Sequence, residues 1–118
     1  MGPDGTTWNG KPINGSVLSN THVDFVSVQF YNNPQCNAGT AGFREGSWSY
    51  GVWDKWAGTA GKKIIVGMLA SKTTLDSAVS DIDFAARYPN FAGAMMWDAH
   101  TADAGCGHDL STWMKENL

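Results

Sequence analysis

Apolar positions along the chain gather into three short runs, with helix-spaced stretches between and after them. The first run, Val23 to Tyr31, contains the strand formers Val23, Phe25, Val28 and Phe30, and Pro34 follows to stop it. The second, Ile64 to Leu69, and the third, Phe91 to Trp97, are apolar throughout, as strands covered on both faces are. Between the first two runs, Trp48, Val52 and Trp56 recur at i, i+4 and i+8. That spacing predicts a helix over residues 46–57 with these three facing the sheet, while Trp53 lies off the line, near Tyr50 in projection. Thr73 or Thr74 can cap the next helix, with Leu75, Val79, Ile82 and Ala86 on its inner side and Pro89-Asn90 breaking it. A last helix, Leu110 to Asn117, turns Leu110, Trp113 and Met114 inward. Residues 1–15 read as an irregular loop, 16–21 as a short helical turn, and 32–42 as a loop rich in Asn and Gly.

The order is therefore β-α-β-α-β-α. The strands end at Tyr31, Leu69 and Trp97, 38 and 28 residues apart, which suits right-handed β/α units in a parallel sheet. A closed β/α barrel needs eight strands and typically about 250 residues. The fold expected of these 118 residues is accordingly α/β, three consecutive β/α units of a partial (β/α)8 TIM barrel with its inner face half exposed. Sites in such proteins sit at the C-terminal ends of the strands. Gln29 and Tyr31, two residues apart at such an end, point to the same face. A polar pair there costs desolvation energy that packing alone does not require.

Composition narrows the function classes. A hydrophobic fraction of 42% with 16% charged residues describes a folded chain. Net charge is −3 with the eight Lys and Arg scattered, so neither nucleic acid nor an anionic membrane is an expected partner. Six Trp and 14 Gly in a charge-poor chain is a composition often met in proteins that handle carbohydrate. No window approaches the roughly 18 apolar residues of a membrane helix. Met1-Gly2-Pro3-Asp4-Gly5 opens no signal peptide, so the chain is either intracellular or lacks its beginning.

Other candidate chemistry is sparse. Cys36 and Cys106, 70 residues apart, match no metal-ligand spacing; a disulfide and two free thiols both remain open. His22, His100 and His108 are too scattered to define a metal site; His100 and His108 follow the third strand and read as solvated loop histidines or, alternatively, as lining the mouth of a site there, and no cofactor is expected. Asp76, Asp81 and Asp83 fall on the solvated side of their helix, and Trp97 by itself reads as a core residue.

The strand ends carry a further pattern. Val28-Gln29-Phe30-Tyr31-Asn32-Asn33-Pro34 with Cys36, then Ile65-Val66-Gly67-Met68-Leu69-Ala70, then Tyr88-Pro89-Asn90-Phe91-Ala92-Gly93-Ala94-Met95-Met96-Trp97-Asp98 together resemble glycoside hydrolase family 18. The resemblance is to the class III, hevamine-like chitinases of fungi and plants, over residues 22–118, and corresponds to barrel strands six to eight. It implies that Tyr31 contacts the substrate N-acetyl group during catalysis, that Gln29 is the neighbouring polar contact, and that Trp97 stacks on the sugar. A hydroxyl near the acetamido carbon and an indole face against a pyranose suit those roles chemically. Asp98 would orient a substrate hydroxyl or serve as a structural cap. Cys36 matches a family cysteine whose usual partner precedes strand six, which leaves Cys106 as a substitute.

The departures bear on activity. The family protonates its leaving group with a Glu in an Asp-x-x-Asp-x-Asp-x-Glu motif, the substrate's acetamido oxygen acting as nucleophile. That motif is absent here, and the only glutamates are Glu45 and Glu116. The loop after the second strand, Gly67-Met68-Leu69-Ala70-Ser71-Lys72, also replaces the family's Gly-Leu-Pro-Ala and its Gly-rich extension. Three readings follow. The chain is the C-terminal part of a chitinase barrel, inactive by itself; a non-catalytic binder of chitin or N-acetylglucosamine oligosaccharides; or a truncated product that self-associates through exposed sheet edges. The resemblance implies an extracellular parent protein.

Overall fold

A computed structural model describes residues 21–69, 73–98 and 107–118. The readings made for residues 1–20, for His100, for the side chain of His108 and for Cys106 lie outside them. Three strands, β1 (Phe25–Gln29), β2 (Lys63–Leu69) and β3 (Phe91–Trp97), form one parallel sheet in the order β1-β2-β3. The helices are α1 (Ala41–Arg44), α2 (Tyr50–Ala60), α3 (Leu75–Ala85) and α4 (Gly107–Asn117). The class is α/β, and no described helix is long and apolar enough to cross a membrane.

Two faces of the sheet differ sharply. Val26 and Val28 from β1 and Phe30 just after it, with Ile64, Val66 and Met68 from β2, are buried beneath the helices. Each such side chain withdrawn from water stabilises the fold by about 1.5–3 kcal/mol. Phe30 meets Phe43 edge-on at 5.0 Å between ring centroids, and Tyr50 meets Tyr88 edge-on at 5.4 Å. Phe43 is fully buried on α1, a four-residue helix that straddles the end of the segment 32–42 read as loop. One buried aromatic holds that turn down. On the opposite face the alternate residues are left bare: Phe25 is 59% exposed, Ser27 and Gln29 are exposed, and Trp97 is 55% exposed.

Register explains how Trp97 reaches that bare face. Ile64 pairs with Phe91 but Ile65 pairs with Gly93, so Ala92 is an extra residue bulged out of β3. Gly93 takes φ 135° at this point, which a side chain would strain. Beyond the bulge the ladder runs regularly to Leu69 opposite Trp97. Phe91 packs on the helix-covered core, as do Ala94 and Met96, and this change of parity is the bulge's doing.

Several expectations are corrected. β1 is shorter than Val23 to Tyr31 at both ends. The Trp-rich helix begins at Tyr50, and its buried line is Tyr50, Trp53 and Ala57, with Asp54, in place of Trp48, Val52 and Trp56. Asp54 is held there because it accepts from the Asn90 backbone N–H at 2.9 Å and from its side-chain amide at 3.3 Å. Thr74 is the α3 cap, accepting from the Ser77 N–H at 3.3 Å. Ala78, Asp81, Ile82 and Ala85 are buried on that helix, Leu75 and Val79 only half-buried, and Ala86 is exposed. Asp81, expected in solvent, accepts from the Gly39 N–H at 2.6 Å and pairs with the Arg44 guanidinium at 2.9 Å. That contact ties the segment after β1 to α3.

Candidate functional site

The C-terminal ends of the three strands bring together most of the residues singled out from the sequence. Gln29 is the last residue of β1, pairing with Gly67, and the Phe30 N–H still donates to the Gly67 carbonyl at 3.0 Å. Tyr31 follows, half-buried, beside Leu69 in a cavity of about 460 Å³ that also takes in Asn37, Thr74 and Ser77. Leu69 is the residue opposite Trp97. Leu69 and Trp97 therefore stand at one level of the sheet, and Tyr31, two residues past the end of β1, lies next to Leu69.

The turn after Tyr31 is closely held. The Gln29 side-chain amide donates to the Tyr31 carbonyl at 3.2 Å, and the Asn33 amide donates to the carbonyls of Gln29 and Tyr31 at 3.0 and 2.9 Å. Asn32 takes φ 54°, the left-handed conformation that Asn adopts more readily than most residues. Gln29 also lines a second cavity, of about 350 Å³, along the open edge of β1 with Trp48, Trp53 and Cys36.

The other candidates distribute as follows. Asp98, joined to Trp97 by a cis peptide, is half-buried and already engaged by a neighbour. Cys36 is buried as a free thiol, and burial pushes its pKa up. His22 is exposed and also has a partner. Among the described residues no three His, Cys, Asp or Glu converge as metal ligands. Glu45 caps the exposed end of α1 and Glu116 lies exposed on α4, neither of them on a strand. Asn33 and Asn37 are the residues that spacing does not single out. The run Asn32-Asn33-Pro34 signals a turn, but which carbonyls an amide meets is set only by the folded backbone.

Relatives give this geometry a context. The chain is 38% identical over 92 residues to Endochitinase 3 of Metarhizium anisopliae, a match covering 68% of this chain and 29% of that protein. It is 32% identical over 98 residues to Endochitinase 33 of Trichoderma harzianum, covering 71% of this chain and 30% of that one. The chain is homologous to the endochitinases. The likeness of this endochitinase relative extends to plants: it is 28% identical over 107 residues to the Basic endochitinase of Nicotiana tabacum, 83% of this chain and 34% of that protein. The endochitinase-related chain thus spans 29–34% of the length of these relatives. No family model matches the chain, and no solved structure gives a significant match.

Proposed function

We propose that residues 22–118 are three consecutive units of a family 18 chitinase (β/α)8 barrel and supply the N-acetyl-recognition side of its cleft. The observation that carries the reading is the exposed Trp97 opposite Leu69 at the C-terminal end of the sheet, with Tyr31 two residues past the end of β1 lining a cavity with Leu69. In this reading the Tyr31 hydroxyl contacts the acetamido group of an N-acetylglucosamine unit while Trp97 stacks on its ring, with Gln29 and Asp98 as further polar contacts. The acetamido oxygen attacks the anomeric carbon, the leaving oxygen takes a proton, and water later opens the cyclic intermediate with net retention. The substrate is chitin or its oligosaccharides, and the parent protein acts outside the cell.

In this reading the chain does not supply that proton: both glutamates lie off the strands, and the sequence lacks the acidic motif. General acid–base assistance is worth roughly 10²–10⁴-fold, so this chain by itself binds sugar without cleaving it. Titration with chitotetraose, followed by tryptophan fluorescence, tests the reading. The signal changes and saturates for the native sequence and is lost in Trp97→Ala; an unchanged signal at millimolar sugar refutes it. Reducing ends released from chitin oligomers at rates typical of chitinases would refute the inactivity.

A second consequence concerns association. Among the described residues β1 and β3 each have one neighbour in the sheet, and the bare face carries Phe25 and Trp97. Open edges and apolar surface of that kind promote self-association. Size-exclusion chromatography is expected to report oligomers, and a stable compact monomer would count against this.

A further inference from the structure

We propose that Asn33 is a positioning residue for Tyr31, holding the phenol at the sheet edge through the tyrosine's own carbonyl. The inference rests on the reading of Tyr31 as the N-acetyl contact, and adds a residue which that reading does not contain. The Asn33 side-chain NH₂ bridges two acceptors, the Gln29 carbonyl at 3.0 Å and the Tyr31 carbonyl at 2.9 Å. The Tyr31 carbonyl accepts a second donor, the Gln29 amide, at 3.2 Å. Asn33 is itself fixed: its N–H donates to the Asn37 side-chain carbonyl at 2.8 Å, and its carbonyl accepts from the Cys36 N–H at 2.9 Å. Pro34 behind it confines its backbone to extended conformations.

The chemistry of the bridge is specific. Carbonyls two residues apart in an extended strand point the same way, and bringing both to one point sets their negative ends together. A group with two N–H donors relieves that, and an amide has two. The strand's direction changes immediately afterwards, at the left-handed Asn32. Tyr31 thus stands at the last position before the chain turns, where its carbonyl is the handle that sets its backbone and the direction of its ring. A carboxylate of the same size offers acceptors only, and would drive both carbonyls away.

The chain has three tyrosines, Tyr31, Tyr50 and Tyr88, so incorporation of 3-fluorotyrosine gives three fluorine NMR signals that Tyr→Phe variants assign. Tyr50 is fully buried and Tyr88 packs against it, which makes them reporters of the core. In Asn33→Asp and Asn33→Ala of the full chain, the Tyr31 signal is expected to shift or broaden while the other two stay in place. Chitotetraose affinity falls by about tenfold, or about 1.4 kcal/mol. Adding Asn33→Ala to Tyr31→Phe weakens binding no further. An unmoved Tyr31 signal in Asn33→Asp overturns the proposal, and so does a full additive loss in the double variant. If the native sequence fails to bind chitotetraose, the sugar-binding reading falls, and the fluorine signals alone decide the role of Asn33. Should the aspartate variant lose all three signals, Asn33→Ser, which keeps one donor, is expected to move Tyr31 alone; no movement there overturns the inference.

Discussion

Replacing Asp81 with alanine removes the acceptor on which two elements converge. Its carboxylate is 4% exposed and takes the Gly39 N–H at 2.6 Å, the Arg44 Nε at 3.0 Å and the Arg44 Nη2 at 2.9 Å. Stranding the partner of a fully buried ion pair costs about 3–5 kcal/mol, but Arg44 is 39% exposed and can return to water, so that figure does not apply. Gly39 is exposed as well. What is lost is the net worth of hydrogen bonds to a charged group, about 1.5–3 kcal/mol. A loss of about 2 kcal/mol is therefore expected, against about 0.5 kcal/mol or less for an acid on a solvated helix face. At roughly 4 °C per kcal/mol for a domain of this size, the melting temperature falls by about 8 °C. Urea unfolding followed by tryptophan fluorescence measures it, with the m-value unchanged because the surface exposed on unfolding is the same. A double-mutant cycle with Arg44→Ala should return a coupling of about 1 kcal/mol. A destabilisation below about 0.5 kcal/mol would refute the reasoning and return Asp81 to the solvated face that its spacing suggests.

Other perturbations probe the core and the site. Tyr50 is fully buried, and its hydroxyl has no partner among the described residues, so Tyr50→Phe should raise stability by about 1 kcal/mol in the same urea assay; a loss would mean the hydroxyl is satisfied. A β-carbon on Gly67 would stand 2.7 Å from the Val28 carbonyl oxygen of the neighbouring strand, so Gly67→Ala should cost about 1–3 kcal/mol, and a neutral change would show that β1 and β2 can part freely. Burial raises Cys36 above its ordinary 9.0, and burial, reinforced by Asp54 and Tyr88, raises Tyr50 well above its ordinary 10.0. The unfolded chain then ionises first, so the stability these groups contribute is full below pH 9.0 and lost as the pH rises beyond it. The urea midpoint should fall across that alkaline range, less steeply in Tyr50→Phe, and a flat profile would contradict the burial of both groups.

Strands and helices were legible in this sequence to different depths, for physical reasons. β3 spans its apolar run, and β2 exceeds its run by Lys63 alone, because turn residues bound both. β1 reads too long at its C-terminal end because the chain turns at the left-handed Asn32, with the Asn33 amide on the carbonyls before it, and hydropathy sees neither. On α2 two apolar lines compete, one through Trp48, Val52 and Trp56 and one through Tyr50, Trp53 and Ala57. Helical periodicity ranks them equally. The second is buried because Phe43 and Tyr88 stand where Tyr50 can meet them at 5.9 and 5.4 Å. Helical spacing puts Asp81 in solvent because it cannot show Arg44, a tertiary partner 37 residues away. Of the site, a spacing of two draws attention to Gln29 and Tyr31, but β1 ends at Gln29 and the two line separate cavities, and the bridge through Asn33 depends on where carbonyls come to lie.

The bulge at Ala92 carries a consequence for how such a site can arise. Phe91-Ala92-Gly93-Ala94-Met95-Met96-Trp97 is apolar on both faces, so the strand would fold with either phase, and hydropathy cannot tell which one it takes. One inserted residue is half a period of the pleat: it exchanges the inward and outward sets downstream and leaves those upstream alone. A single-codon insertion or deletion at this point would thus act as a switch of outlook for Trp97, between a place under the helices and a place in the open. Genetic change at a position of no chemical interest itself decides whether the indole belongs to the scaffold or to the exposed surface.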